Sequence, residues 1–177
     1  SADMLLSAEE ICSEDFNERD ILHFCSVSLI DAPIKEAHRR AIEIAKEKGC
    51  LISFDPNVRL PLWKQPEDCR KAILEFLPLS NIKDEKEALD SLLTGDVKVI
   101  IYTKGTNGAE FITKERVIFS PSFKVSAQDT TGAGDSFIGS LLYQVAEGDN
   151  TLESLVNLPE EKVKEILTLS NATAALT

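Results

Sequence analysis

The sequence predicts an α/β fold, the class in which short buried strands alternate with longer amphipathic helices. Two observations indicate this class. Short apolar runs alternate along the chain with longer segments whose apolar residues recur at helical spacing. In the first third of the chain, a predicted strand, helix and second strand follow one another, and such a unit almost always forms a right-handed crossover between parallel strands. We therefore expect a mostly parallel sheet that is covered by helices on both faces.

The strand–helix–strand unit lies within residues 20–54. An apolar run at 20–25 predicts one buried strand, and a second run at 50–54 predicts its parallel neighbour. Between them, Asp31 is the expected N-cap of a helix with Pro33 in its first turn, and Gly49 is expected to end it. The buried face of this helix is predicted to consist of Ile34, Ala37, Ala41, Ile44 and Ala45.

The rest of the chain continues the same alternation. Gly105 and Gly108 mark a turn after the clearest strand. The further extended segments are predicted at 80–83, 97–102, 109–113 and 116–120, the last two as an antiparallel hairpin. The further helices are predicted at 66–77, 84–93, 132–148, 151–157 and 159–176.

Composition limits the classes of protein and partner. The 177 residues are of the size of one domain. The formal charge of −11 disfavours nucleic acid and anionic membranes as partners, and no apolar run is long enough to span a bilayer. The four cysteines lack metal-ligand spacing and only two histidines are present, so zinc is not expected. Sparse cysteines are typical of reduced thiols, and we expect a cytoplasmic protein.

Residues 129–137, DTTGAGDSF, carry the chemistry. Two glycines flank Ala133 where a loop becomes a helix, and the first N–H groups of a helix have no intrahelical partner. Without side chains at Gly132 and Gly134, a phosphate can approach these amides and the positive end of the helix dipole. Asp135 lies in the same turn, where a carboxylate can take a proton from an attacking hydroxyl. The alternative is that the glycines only make a tight turn and that Asp135 only complements the dipole.

This segment resembles the C-terminal signature of the ribokinase-like, phosphofructokinase-B-type carbohydrate kinases. The resemblance implies that Asp135 is the catalytic base and that the amides of Gly132, Ala133 and Gly134 form the anion hole. It also implies a three-layer α/β/α sandwich with a mostly parallel sheet and a C-terminal antiparallel hairpin. Within the family, residues 3–6, 21–29 and 55–63 look most like bacterial fructokinases.

Three further segments support the resemblance. Residues 99–108 resemble the strand and turn that cradle ATP, residues 55–59 (DPNVR) resemble a loop after an internal strand, and residues 170–177 resemble the last helix. The implied substrate or phosphate ligands are Asn57 and Arg59. The implied nucleotide ligands are Thr103, Lys104, Gly105, Gly108 and Asn171. A surface ion pair for Arg59 and an exposed turn lysine at 104 are the alternatives from residue type alone.

The metal assignments also come from the resemblance. Glu87 takes the position of the family glutamate that organises Mg²⁺ through water, although Asp84 replaces the usual asparagine of that element. Asp129 and Thr131 match loop positions that bind a monovalent cation, here K⁺, and hard cations prefer such oxygen ligands. An acidic, solvated helix start is the alternative for Glu87.

The predicted function is ATP-dependent phosphorylation of a sugar hydroxyl, with fructose as the first candidate acceptor. The alternatives are a kinase for 2-keto-3-deoxygluconate, ribose or a nucleoside, and a non-catalytic nucleotide-binding module. The resemblance further implies that residues 1–177 are one partial domain, the nucleotide-binding and catalytic portion of a longer kinase. The N-terminal sugar-binding lid, through which relatives form homodimers, and the extreme C-terminus are then expected outside it.

Overall fold

The structure is a computed structural model that describes residues 2–76, 93, 96–125, 131–149 and 151–177. The chain divides into two units, Ser1–Leu79 and Ser80–Thr177. Of the predicted segments, 80–83 and nearly all of 84–93 lie outside the described residues. Among the helices of the described ranges, none is long and apolar enough to cross a membrane.

A parallel pair of strands organises the first unit. Strand β1 (Ile21–Cys25) pairs with β2 (Leu51–Asp55), and helix α1 (Pro33–Lys48) connects them, so the predicted strand–helix–strand unit is confirmed. The register places Cys25 opposite Asp55, so both strands end at the same edge. The predicted buried face of α1 is also confirmed, because all five of its apolar residues are buried.

The ends of α1 follow the sequence with one correction. Gly49 adopts φ of +77° and ends the helix in the left-handed conformation, as expected. The N-cap is Ala32 rather than Asp31, and no side chain caps the first turn. Pro33 occupies the first turn without loss, because an N–H at that position would have no intrahelical acceptor.

Aromatic packing forms the core between the strands and helix α2 (Pro66–Phe76). The ring of Phe24 lies 4.8 Å from that of Phe54 and 5.9 Å from that of Phe76. Leu29 and Ala72 complete the buried cluster. The described residues of this unit also form five short 3₁₀ helices, at Ala2–Leu5, Ala8–Glu10, Ser13–Asp15, Ser26–Ser28 and Leu60–Leu62.

The second unit contains an antiparallel sheet of three strands. Strand β4 (Ala109–Ile112) pairs with β3 (Ile100–Thr103) on one side and with β5 (Val117–Ser120) on the other, so the predicted hairpin is confirmed. The regular part of β3 begins at Ile100 rather than at residue 97.

Three helices accompany this sheet in the described part of the second unit. The helices are α3 (Ala133–Ala146), α4 (Leu152–Val156) and α5 (Glu160–Leu176). Helix α5 packs against α3 and against strands β4 and β5. The amide of Gln144 on α3 donates to the Ile166 carbonyl oxygen on α5 at 3.2 Å. Arg116, in the hairpin turn, donates from Nη2 to the carbonyl oxygens of Val156 and Leu158 at 2.7 and 2.6 Å, which ties the turn to the end of α4.

Candidate active site

The N-terminus of α3 presents backbone amides without acceptors in the helix. Gly132 is the N-cap, with φ of +86°, and among the described residues no side chain caps this turn. The first helical hydrogen bond runs from the Ser136 N–H to the Gly132 carbonyl oxygen, at 2.8 Å. The N–H groups of Ala133, Gly134 and Asp135 precede this bond, so they have no intrahelical acceptor. Three donors at the positive end of a helix dipole are suited to an anion such as a phosphoryl group.

Gly132 and Gly134 occupy this turn for different physical reasons. Gly132 needs the left-handed conformation, which side chains rarely adopt. Gly134 lies in the helix and is exposed, and a Cβ atom built there meets no atom of the described residues within 4 Å. Neither the backbone nor packing against the described residues therefore calls for glycine at position 134. A ligand that must approach the amides closely does account for it.

The carboxylate of Asp135 shares this turn. Its residue is exposed, and within the described ranges no side chain or amide bonds to the carboxylate. Beside it, the Thr177 hydroxyl donates to the Ser136 hydroxyl oxygen at 2.8 Å, so the end of α5 lies against the start of α3. An exposed carboxylate next to amides without helical acceptors can accept a proton from a hydroxyl that attacks a phosphoryl group held by those amides.

The turn after β3 brings together most of the predicted nucleotide ligands. Thr103 is the exposed last residue of β3, and the Lys104 N–H donates to the Gly108 carbonyl oxygen at 2.7 Å. Gly105 is exposed, with φ of +55°. The Lys104 ammonium is paired with Glu110 at 2.7 Å, so the lysine is a turn residue with a partner of its own.

Gly108 and Asn171 meet the same stretch of backbone. Gly108 has φ of +105°, and a Cβ there would overlap the Ser120 carbonyl oxygen and lie 2.8 Å from the Pro121 Cα. The buried amide of Asn171 donates to the carbonyl oxygens of Ser120 and Pro121, at 3.3 Å each. Both residues thus fix the end of β5, which accounts for their identity within the fold. Their roles as nucleotide ligands stay predictions.

The Asp55–Arg59 loop belongs to the first unit and follows β2. The Asn57 N–H donates to Asp55 Oδ1 at 2.9 Å, and Arg59 Nε donates to Asn57 Oδ1 at 3.3 Å. Asn57 has φ of +27°, an uncommon value for a residue with a side chain. Arg59 is exposed. The carboxyl ends of parallel strands are where open α/β sheets gather ligands, so the loop is well placed for one.

Sequence reasoning missed Ser26, which holds this loop. Ser26 follows β1, is fully buried, and donates its hydroxyl proton to the Pro56 carbonyl oxygen, with the Asn57 carbonyl oxygen 3.4 Å away. The only sequence signal is a polar residue directly after a buried strand, at the edge where its parallel neighbour also ends.

The structure describes only one of the three predicted metal ligands. Glu87 and Asp129 lie outside the described residues, and Thr131 lies in an exposed turn before α3. Within the ranges that the structure describes, no group of three or more histidine, cysteine, aspartate or glutamate side chains is arranged to hold a metal ion.

Comparison with known proteins first identifies the fold. The chain superposes on the fructokinase of Vibrio cholerae O395 in its fructose-, ADP- and calcium-bound form, with a TM-score of 0.84 and 27% identity over 99% of this chain and 59% of that one. It superposes on the fructokinase of Xylella fastidiosa with bound ATP with a TM-score of 0.83 and 25% identity, over 98% and 59% of the two chains. The predicted ribokinase-like α/β fold is confirmed.

The family follows from the sequence. Residues 1–177 match the pfkB family of carbohydrate kinases, and the chain belongs to that family. It is 39% identical to the probable fructokinase-2 of Arabidopsis thaliana over 193 residues, which cover 100% of this chain and 57% of the relative. It is 40% identical to a fructokinase of Solanum tuberosum over 183 residues, which cover 100% and 56%. The chain thus spans somewhat more than half the length of these relatives.

Proposed function

We propose that this chain carries the phosphoryl-transfer site of an ATP-dependent sugar kinase whose acceptor is fructose. The observation that carries the proposal is the start of α3, where three amides without helical acceptors share one turn with the exposed Asp135. Membership of a carbohydrate kinase family and similarity to fructokinases support the class of reaction and the acceptor.

The proposed reaction assigns a separate task to each part of the turn. Asp135 accepts the proton of the attacking sugar hydroxyl, whose oxygen forms a bond to the γ-phosphorus of ATP while the bond to the β–γ bridging oxygen breaks. The amides of Ala133, Gly134 and Asp135 stabilise the charge on the transferred phosphoryl oxygens. The products are the sugar phosphate and ADP. Backbone donors of this kind explain how a chain with a net charge of −11 can bind a phosphoryl group.

The remaining assignments are proposals that rest on the family pattern. Thr103, Lys104, Gly105, Gly108 and Asn171 are assigned to the nucleotide. Asn57 and Arg59 are assigned to the acceptor or its phosphate. Mg²⁺ would accompany ATP, with Glu87 acting through water, and K⁺ would bind near Asp129 and Thr131, since both ions take oxygen ligands. We also propose a cytoplasmic enzyme that forms a homodimer.

Replacement of Asp135 by Asn in the full-length protein tests the mechanism. We expect kcat to fall by about 10³-fold, within the range that general bases contribute, while ATP affinity changes little. Asp149→Asn, which makes the same charge change at an exposed position beyond α3, is the matched control and should leave kcat unchanged. Turnover within a factor of three of the wild type in Asp135→Asn would contradict the role of the base.

A panel of acceptors tests the substrate. With ATP as donor, fructose should give the highest kcat/KM among fructose, ribose, 2-keto-3-deoxygluconate and a nucleoside. A higher value for another acceptor would reassign the substrate and keep the site. Calorimetric ATP binding without transfer to any acceptor would favour a non-catalytic nucleotide-binding module.

A further inference from the structure

We infer that Ser26 is a positioning residue that holds the Asp55–Arg59 loop in the conformation in which Arg59 meets the acceptor or its phosphate. Its effect on catalysis rests on the proposed function, whereas its hold on the loop does not. Three observations on the first unit carry the inference: the placement of Ser26, the bonds within the loop, and the contrast with Ser28.

The strand register places Ser26 beside the loop. Cys25 and Asp55 are partners at the end of the parallel pair, so the next residues, Ser26 and Pro56, leave the sheet side by side. A serine hydroxyl has one proton to donate, and Ser26 directs it to the Pro56 carbonyl oxygen. Because Ser26 has no exposed surface, water does not easily replace this donor when the hydroxyl is removed.

Further hydrogen bonds connect the residues after Pro56 to the guanidinium of Arg59. Asn57 follows directly, with φ of +27°, and its N–H is held by the Asp55 carboxylate. Its side-chain oxygen accepts from Arg59 Nε, a contact that engages one of five guanidinium donors. A backbone conformation this uncommon persists only when surrounding contacts fix it, and the Ser26 hydroxyl is one of those contacts. Loss of that hydroxyl should therefore loosen Asn57 and, through it, Arg59.

Ser28 provides the matched control. It belongs to the same 3₁₀ helix, two residues further on, and is half-buried where Ser26 is fully buried. Its hydroxyl lies 3.2 Å from the Cys25 carbonyl oxygen and 3.2 Å from His38 Nε2, contacts with its own segment and with α1. Ser28→Ala thus removes a hydroxyl from the same 3₁₀ helix without touching the Asp55–Arg59 loop.

Hydrogen exchange in the full-length protein tests the hold on the loop. In Ser26→Ala, the Asn57 amide and the Arg59 Nε–H should exchange about tenfold faster by NMR, the change expected from one lost hydrogen bond. In Ser26→Ala, the amides of α1 should keep their wild-type exchange rates. In Ser28→Ala, the Asn57 amide and the Arg59 Nε–H should keep theirs. Ser26→Cys, with a weaker donor of similar size, should give intermediate rates and also serves if Ser26→Ala does not fold. Wild-type rates at Asn57 and Arg59 in both Ser26 variants would overturn the inference.

Kinetics test the consequence for the acceptor. Ser26→Ala should raise KM for fructose about tenfold, with kcat and KM for ATP each within threefold of wild type. In a double-mutant cycle, the variant that combines Ser26→Ala with Arg59→Ala should have a KM for fructose no higher than that of Arg59→Ala alone, because Ser26 acts through Arg59. Additive losses, or a fall in kcat without a change in KM for fructose, would contradict the positioning role. Failure of the wild type to phosphorylate fructose would instead refute the proposed acceptor, and the exchange rates would still decide whether Ser26 holds the loop.

Discussion

The Asp55–Arg59 loop and the start of α3 prepare polar groups in opposite ways. In the loop, the groups are bonded to one another, because Asp55 holds the Asn57 N–H and Asn57 holds Arg59. At the start of α3, no side chain of the described ranges caps the helix, and the first amides have no acceptor within it. Each segment contains one residue with positive φ, at Asn57 and at Gly132.

The difference separates two uses of a polar segment. The loop is held by its own side chains and by Ser26, so its exposed guanidinium can be presented in a fixed place. The start of α3 depends on the helix itself for its geometry and leaves its donors to a ligand, which suits charge that develops during a reaction. Glycines in the second unit should accordingly include some that packing requires, such as Gly108, and some that a ligand requires, such as Gly134.

The largest expected effect is the loss of stability when Gly108, a glycine that packing requires, is replaced. Gly108→Ala should lower the free energy of unfolding by about 3 kcal/mol, because the new Cβ would overlap the Ser120 carbonyl oxygen while the backbone keeps φ of +105°. Gly105→Ala is the control, since its φ is also positive but a Cβ there meets no atom within 4 Å in the described part of the chain. It should cost about 1 kcal/mol from backbone strain alone. Urea unfolding measures both values, and equal losses would contradict the distinction.

A smaller effect concerns a second helix start in the same unit, at α5. A hydrogen bond from Lys164 and its charge lower the pKa of the Glu160 carboxyl from 4.5, with a lesser effect of Arg116. Because the folded pKa lies below the unfolded one, this stabilisation is present above about pH 4.5 and is lost as the pH falls through the folded pKa.

Lys164→Met tests this helix start. The pKa of Glu160, followed by NMR titration, should rise toward 4.5, and the loss of stability on acidification should become slightly shallower. Lys162→Met, on the same helix with Glu165 as its partner, is the control and should leave the pKa of Glu160 closer to its wild-type value. An unchanged Glu160 pKa in Lys164→Met would show that the pair does not form.

The sequence predicts the start of α3 far better than the loop. Residues 129–137 contain both the glycines and the aspartate within one turn, so local rules for helix ends suffice to predict bare amides beside a carboxylate. The same local rules predict the α1 face, its Gly49 end and the hairpin, all of which are confirmed.

The contacts that the sequence does not predict join residues that are far apart along the chain. Ser26 bonds to the Pro56 carbonyl oxygen across thirty positions, and this pairing follows only once the register of β1 and β2 is known. Gly108 is predicted for a nucleotide turn, but its contact with Ser120 comes from the folding of β5 onto the turn. The N-cap of α1 is Ala32 rather than the predicted Asp31, because the helix begins at Pro33. Residue preferences alone do not decide which of two neighbouring residues precedes a helix.

The most direct test of the central claim compares Gly134→Ala with Gly139→Ala in the full-length protein. Both glycines are exposed residues of α3, and a Cβ at either position meets no described residue within 4 Å. Alanine should therefore raise stability by a similar amount, up to about 1 kcal/mol, in both variants. If the start of α3 binds the transferred phosphoryl group, kcat/KM for fructose and ATP should fall at least about tenfold in Gly134→Ala and stay within twofold in Gly139→Ala. Equal activity in the two variants would contradict the assignment of this helix start as the phosphoryl-transfer site.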